Sequence, residues 1–107
     1  MTKTSLGMEE NIEGALAYIL GWVTGIVFYL LEKDSKFVRF HAMQSIIVFL
    51  PLSVIAWILA FIPFIGWIIS SLIWILSLIL WIVLMIKAYQ GEMYKVPIAG
   101  DIAERNA

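Results

Sequence analysis

The sequence predicts an all-α fold: an integral membrane bundle of three transmembrane helices, with the N-terminus outside and the C-terminus cytoplasmic. Three observations predict it. Apolar residues fill 63% of the 107 positions and charged residues 14%, where a water-soluble domain averages about 45–50% and roughly 25%. The charges gather in an N-terminal tail, a loop at residues 32–39 and the stretch from Lys87 onward, so residues 14–31 and 40–86 carry none. These stretches are continuous rather than alternating, and a few unclosed strands would leave backbone groups unpaired in lipid.

A spanning helix needs about 20 apolar residues, rising roughly 1.5 Å each, to cross a core of about 30 Å. The first span, residues 12–31, is just long enough. Acids precede it and no A-x-A-like site follows it, which argues against a cleaved signal peptide. Its Ala17, Gly21 and Gly25 stand four apart. This small-xxx-small face predicts close helix contact, with pairing of subunits as one use.

The second uncharged stretch is too long for one crossing, and Pro63 and Gly66 divide it into spans at residues 40–61 and 66–86. Pro51 lies near the middle of the second span, where it cannot donate to the Ile47 carbonyl, so a kink is expected. In the third span Trp67, Ser70, Trp74, Ser77 and Trp81 fall on one stripe at helical period. Small serines beside large tryptophans predict interlocking against another helix, with a lipid groove as the sharper alternative. The short turn at Pro63 makes these two spans antiparallel neighbours.

Three crossings would put the N-terminal tail and the Phe61–Gly66 turn on one side, with Lys3 as their lone cation. The other side would carry Lys33, Lys36, Arg39, Lys87, Lys95 and Arg105, and an excess of Lys and Arg marks the cytoplasm. The expected location is the cell membrane, crossed several times. In the C-terminal segment, Ile98 and Ile102 are placed to lie on the bilayer surface while Asp101, Glu104 and Arg105 face water.

The polar residues that merit attention are few. His41, Gln44 and Ser45 share a helix face at i, i+3 and i+4, with Arg39 close by. They form a candidate polar cluster at the membrane boundary, either a cap bonded across helices or a contact for a partner, a headgroup or a proton. One histidine without further ligands is no metal site, and no G-x-S-x-G nucleophile motif is present. With no cysteine, thiolate chemistry is excluded. An enzyme would have to centre on His41. No cofactor is expected, and no basic cluster of nucleic-acid-binding size occurs.

Residues 31–45, with Glu-Lys-Asp-x-x-x-Val-Arg-Phe-His-Ala-x-Gln-Ser, and the tail from Ala88-Tyr-Gln-Gly-Glu to Pro97-Ile-x-Gly-Asp resemble a known pattern. Together they resemble a family of small prokaryotic membrane proteins of unknown function. That family is similar to the twenty-kilodalton subunit of the chloroplast inner-envelope import translocon, a subunit drawn with four helices where this chain has room for three. The resemblance implies a membrane location and a helical bundle, and implies no activity. The expectation is a non-enzymatic structural or interaction subunit, homo-oligomeric, surrounded by lipid and open to a membrane-protein partner. A channel or transport component assembled from several subunits is the alternative.

Overall fold

The computed structural model describes residue 4 and residues 6–107. Among these, the chain is all-α, with helices α1 (Glu10–Leu16), α2 (Trp22–Leu31), α3 (Lys36–Leu59), α4 (Ile65–Tyr89) and α5 (Ala99–Arg105). Two of them, α3 with 24 residues and α4 with 25, are long and apolar enough to cross a membrane. Ser35 starts α3 by accepting the Val38 N–H on its hydroxyl at 3.3 Å, a side-chain cap for an otherwise unpaired donor. Pro51 is accommodated inside α3 on an exposed face.

The α3 and α4 helices form an antiparallel hairpin. Gly66 sets its closest point, since a Cβ there would meet the Leu59 carbonyl oxygen at 2.1 Å. The turn is fastened by the Trp67 indole N–H on the Ala60 carbonyl (2.9 Å) and by the Ser70 hydroxyl on the Ala56 carbonyl (2.9 Å).

Residues 12–31 do not form the single expected helix. They form α1 and α2, of 7 and 10 residues, separated by turns over residues 17–21. Gly21 stands at φ 63° and ψ −132°, a conformation essentially closed to residues with a Cβ. The chain reverses there. Gly14 of α1 lies against Phe37 and Ala88, Gly21 lies beside Phe49, and Gly25 of α2 is back against Ala42 and Ser45. Tyr29, one turn further, sits under the Arg39 guanidinium at 4.1 Å.

The first segment is therefore a helical hairpin that turns back on itself rather than one continuous helix. At about 1.5 Å per residue, α2 reaches roughly 15 Å, half of a hydrocarbon core. Thr4 and Glu10 consequently share an end of the bundle with Ser35 and Tyr89: Glu10 bonds the Ser35 hydroxyl, and the Asn11 amide donates to the Tyr89 carbonyl at 3.0 Å. The N- and C-terminal segments thus meet at one end of the structure, whereas the expectation separates them. Lys3, used in that expectation, lies outside the described residues.

The broken backbone finds side-chain partners. Thr24 takes the Leu20 N–H on its hydroxyl at 3.1 Å and lies 3.1 and 3.3 Å from the Ala17 and Gly21 carbonyls. Ser45 donates to the Gly21 carbonyl at 2.7 Å, and the Trp81 indole donates to the Tyr18 carbonyl at 2.6 Å. Irregular backbone at membrane depth is tolerated only with such partners. The core where hairpin, α3 and α4 meet is built from Tyr18, Val48, Phe49, Leu84 and Ala88. At the far end no other described segment covers the long helices: Ile58, Phe61, Phe64 and Ile68 stay more than half exposed. Lipid is the solvent suited to such a surface.

Candidate functional site

A buried polar clamp lies where the helical hairpin, α3 and the segment after α4 converge. Its centre is Tyr18, fully buried on the turn after α1. The Gln44 amide donates to the Tyr18 hydroxyl at 2.9 Å, and that hydroxyl lies 2.7 Å from His41 Nδ1. His41 Nε2 lies 2.9 Å from the Glu92 carbonyl. A carbonyl only accepts, so Nε2 carries the ring hydrogen and donates it. Nδ1 is then the acceptor for the Tyr18 O–H, and every group is satisfied in one arrangement of hydrogens.

Gln44 completes the clamp. Its second amide hydrogen goes to the Tyr94 carbonyl at 2.9 Å, and its oxygen accepts the Val96 N–H at 2.9 Å. His41 and Gln44 are one turn apart on α3 and both fully buried, so they hold backbone at residues 92, 94 and 96 as a fixed strap. Phe37, Phe40 and Tyr18 pack edge-on around the His41 ring at 4.6 to 5.4 Å. Both ring nitrogens are occupied by the chain's own groups, which is the geometry of a structural clamp rather than of a base facing a substrate.

The other predicted residues are distributed as follows. Ser45 reaches the hairpin tip at Gly21, as described. Arg39 donates to the Tyr29 and Glu32 carbonyls at 2.8 and 2.9 Å and so caps the C-terminal end of α2; the Tyr29 hydroxyl in turn holds the Asn106 carbonyl at 2.7 Å. Ala17 is buried before the break, Gly21 makes the break, and Gly25 lets α2 approach α3. These small residues face partners within the chain. Ser70 and Ser77 are buried, whereas Trp74 is half exposed.

Because the hairpin stops short, two adjoining hollows of about 430 and 540 Å³ open beneath its tip, sharing Trp22, Ser53 and Trp74.

A second polar cluster was not signalled by the sequence pattern. Glu13 of α1 and Glu32 after α2 are fully buried and meet side chain to side chain. Glu32 Oε2 accepts the Asp34 and Ser35 N–H groups at 3.0 Å each, and Glu13 Oε1 takes the Thr4 hydroxyl. Burial is the main cause that pushes the Glu13 carboxyl up to about 7, reinforced by Glu32 and Glu10 and opposed by the Thr4 hydroxyl. Tyr18, like these acids, was legible only as a polar group within or beside an apolar run.

Beyond the membrane boundary, α5 lies against α3 with Gly100 and Ala103 buried and Asp101, Glu104 and Arg105 exposed. Lys95 bridges Glu104 at 2.8 Å and Asp101 at 3.8 Å, and the Glu104 carboxylate raises its ammonium above the ordinary range. Among the described residues, no group of three or more His, Asp or Glu is placed to hold a metal ion.

Comparison with known proteins gives a consistent picture. Residues 9–103 match the magnetosome magnetite crystal formation protein family, typified by MamF and MmsF. The chain is similar to a UPF0132 membrane protein of Methanocaldococcus jannaschii, 62% identical over 98% of this chain and 94% of the relative. A second UPF0132 membrane protein of that organism is 58% identical over 94% of this chain and 72% of its own length. One from Archaeoglobus fulgidus is 49% identical, with 92% and 95% covered. No solved structure matches.

Proposed function

We propose, from the premise that this chain belongs to the MamF and MmsF family of small helical membrane proteins, that it is a non-enzymatic, oligomeric scaffold subunit of the cell membrane. It presents one rigid polar end to partners on the cytoplasmic face. The observation that carries this reading is the Tyr18–His41–Gln44 clamp, which fastens the re-entrant hairpin and the strap at residues 92–96 to α3. A rigid end built from three separate stretches of chain is a platform, not a catalytic pocket. The family's description speaks of magnetite crystal formation; we extend to this chain only the membrane part of such a role.

In this reading α3 and α4 cross the bilayer, the hairpin dips in and returns, and both terminal segments are cytoplasmic. Lys33, Lys36, Arg39, Lys87, Lys95 and Arg105 then all lie on the cytoplasmic side, in keeping with the excess of Lys and Arg expected there. The chain has no cysteine, so single-cysteine labelling tests this directly. Ile62→Cys should react with a membrane-impermeant maleimide in intact cells, and Thr4→Cys, Asp34→Cys and Glu104→Cys only after lysis. Labelling of Thr4→Cys from outside would sink the re-entrant topology. Oligomerisation is tested by mass in several mild detergents, where a strictly monomeric particle counts against it.

A multi-subunit channel is the second reading, favoured by Ser53 and Ser77 at the larger hollow. Liposomes that pass no ions, small solutes or peptides would remove it.

A further inference from the structure

We propose that the hollow beneath the hairpin tip binds an uncharged lipophile whose accepting oxygen reaches mid-bilayer depth, the chemistry of a quinone on a hydrocarbon tail. The unspent polar groups of the apolar body carry the inference. Between residues 40 and 86, the hydroxyls of Ser45, Ser70 and Ser71 and the indoles of Trp67 and Trp81 each donate to a backbone carbonyl. Ser53, Trp57, Trp74 and Ser77 are the other hydroxyl and indole residues of that stretch, and among the described residues none of them has a hydrogen-bond partner. All of these unpartnered groups line the two adjoining hollows of about 430 and 540 Å³, and the unpartnered indole of Trp22 joins them from the hairpin. Ser77 is only 9% exposed, so a partner for its hydroxyl has to come from within the hollow.

These groups define the ligand. An indole N–H only donates, and a hydroxyl donates or accepts, so the shared demand is for an acceptor oxygen. None of the described lining residues is charged, so a charged ligand would be buried there unpaired, at high cost. The faces of Trp22 and Trp74 suit a flat ring, and the remaining wall is largely aliphatic. Small-molecule sites of roughly 300–1,000 Å³ have this make-up, an apolar lining with a few polar groups.

The depth rests on the proposed crossing of α3 and α4. Ser77 is the central residue of α4, which puts it near the midplane of a core about 30 Å thick. The ester oxygens of a glycerolipid lie at the edge of that core, roughly 15 Å away. A tailed quinone has no charged headgroup to hold it at the edge, and it can bring a keto oxygen to Ser77 and Trp74.

The test titrates a decyl benzoquinone into the full-length protein in nanodiscs of diacyl phosphatidylcholine, where ester lipid is already in excess. A saturable rise in the thermal midpoint is expected, because the ligand binds the folded state. Ser77→Ala and Trp74→Phe each delete one donor with little change of shape, and each should weaken binding roughly two- to twelve-fold, the worth of one hydrogen bond. Ser77→Leu should fill the space and abolish binding. Ser71→Ala, whose hydroxyl is spent on the Trp67 carbonyl outside the hollow, should bind as the wild type does. Decylbenzene, which has the tail and no keto oxygen, should bind more weakly than the quinone. No saturable rise, decylbenzene binding as tightly as the quinone, or wild-type affinity in both Ser77→Ala and Trp74→Phe overturns the site. A diacylglycerol that displaces the quinone at equal concentration overturns the choice of a keto oxygen over an ester. The same titration in detergent micelles does not depend on topology, and the cysteine labelling reports the crossing by itself. Binding absent from both media therefore condemns the site, and binding in micelles but not in nanodiscs overturns its mid-bilayer placement.

Discussion

The Gln44 side-chain oxygen accepts the Val96 backbone N–H at 2.9 Å. A residue in the third turn of α3 thereby fixes backbone that returns only after α4 has run its full length. Gln44→Leu keeps the volume and removes all three of the clamp bonds that Gln44 makes. Leaving buried partners unpaired costs about 1–3 kcal/mol. Hydrogen exchange at residues 92–96 should accelerate, and trypsin should cut at Lys95 faster than in the wild type. Gln90→Leu, on an exposed neighbour, should change neither.

Tyr18 and His41 act as one unit, because the same hydroxyl links His41 to Gln44. Tyr18→Phe and His41→Leu should each lower the thermal midpoint in detergent. The double variant should lose less than the sum, with a coupling energy of about 0.5–3 kcal/mol. Strict additivity would show that the clamp is not a network.

The two long helices were legible because length and lack of charge suffice to define them. Their ends shifted for local reasons: capped by Ser35, α3 begins at Lys36, four residues before the expected start, and α4 runs on to Tyr89 with Lys87 in its last turn. The break in the first segment was hidden by hydropathy, which is equally high in one continuous helix and in a helical hairpin. Gly21 reads as a packing residue in G-x-x-x-G until its positive φ is seen, and Thr24 signals nothing by periodicity. In the clamp, the spacing of His41, Gln44 and Ser45 marked one helix face. Their partners at Tyr18, Glu92, Tyr94 and Val96 lie 23 to 52 residues away, beyond any local pattern.

The reversal at Gly21 should be intolerant of a side chain. Gly21→Ala places a Cβ on a backbone conformation that costs about 1–3 kcal/mol to hold. Gly25→Leu meets a different obstacle, since even a Cβ would sit 2.8 Å from the Ala42 carbonyl oxygen. Both should lower the thermal midpoint and expose residues 22–31 to faster exchange. Val27→Ala, on the open face of α2, should leave the midpoint nearly unchanged. A fully stable Gly21→Ala would mean that the hairpin does not turn there.

Ile98 is held in a γ-turn of the rare, strained hand, at φ 69° and ψ −58°, closed by the Ala99 N–H on the Pro97 carbonyl at 2.8 Å. Its side chain is 78% exposed and therefore returns little packing for that strain. Holding a residue with a Cβ in so sparsely populated a backbone region costs about 1–3 kcal/mol. Glycine removes that cost and gives back roughly 0.5–1 kcal/mol in backbone entropy. Ile98→Gly should therefore stabilise α5 slightly in detergent, read as slower exchange of the amides at residues 99–105. In liposomes the balance reverses if the bilayer surface takes up the Ile98 side chain, because burying it there offsets the strain. Faster exchange for the variant in liposomes, with slower exchange in detergent, is the expected pair of results. The same sign in both media would place Ile98 in water.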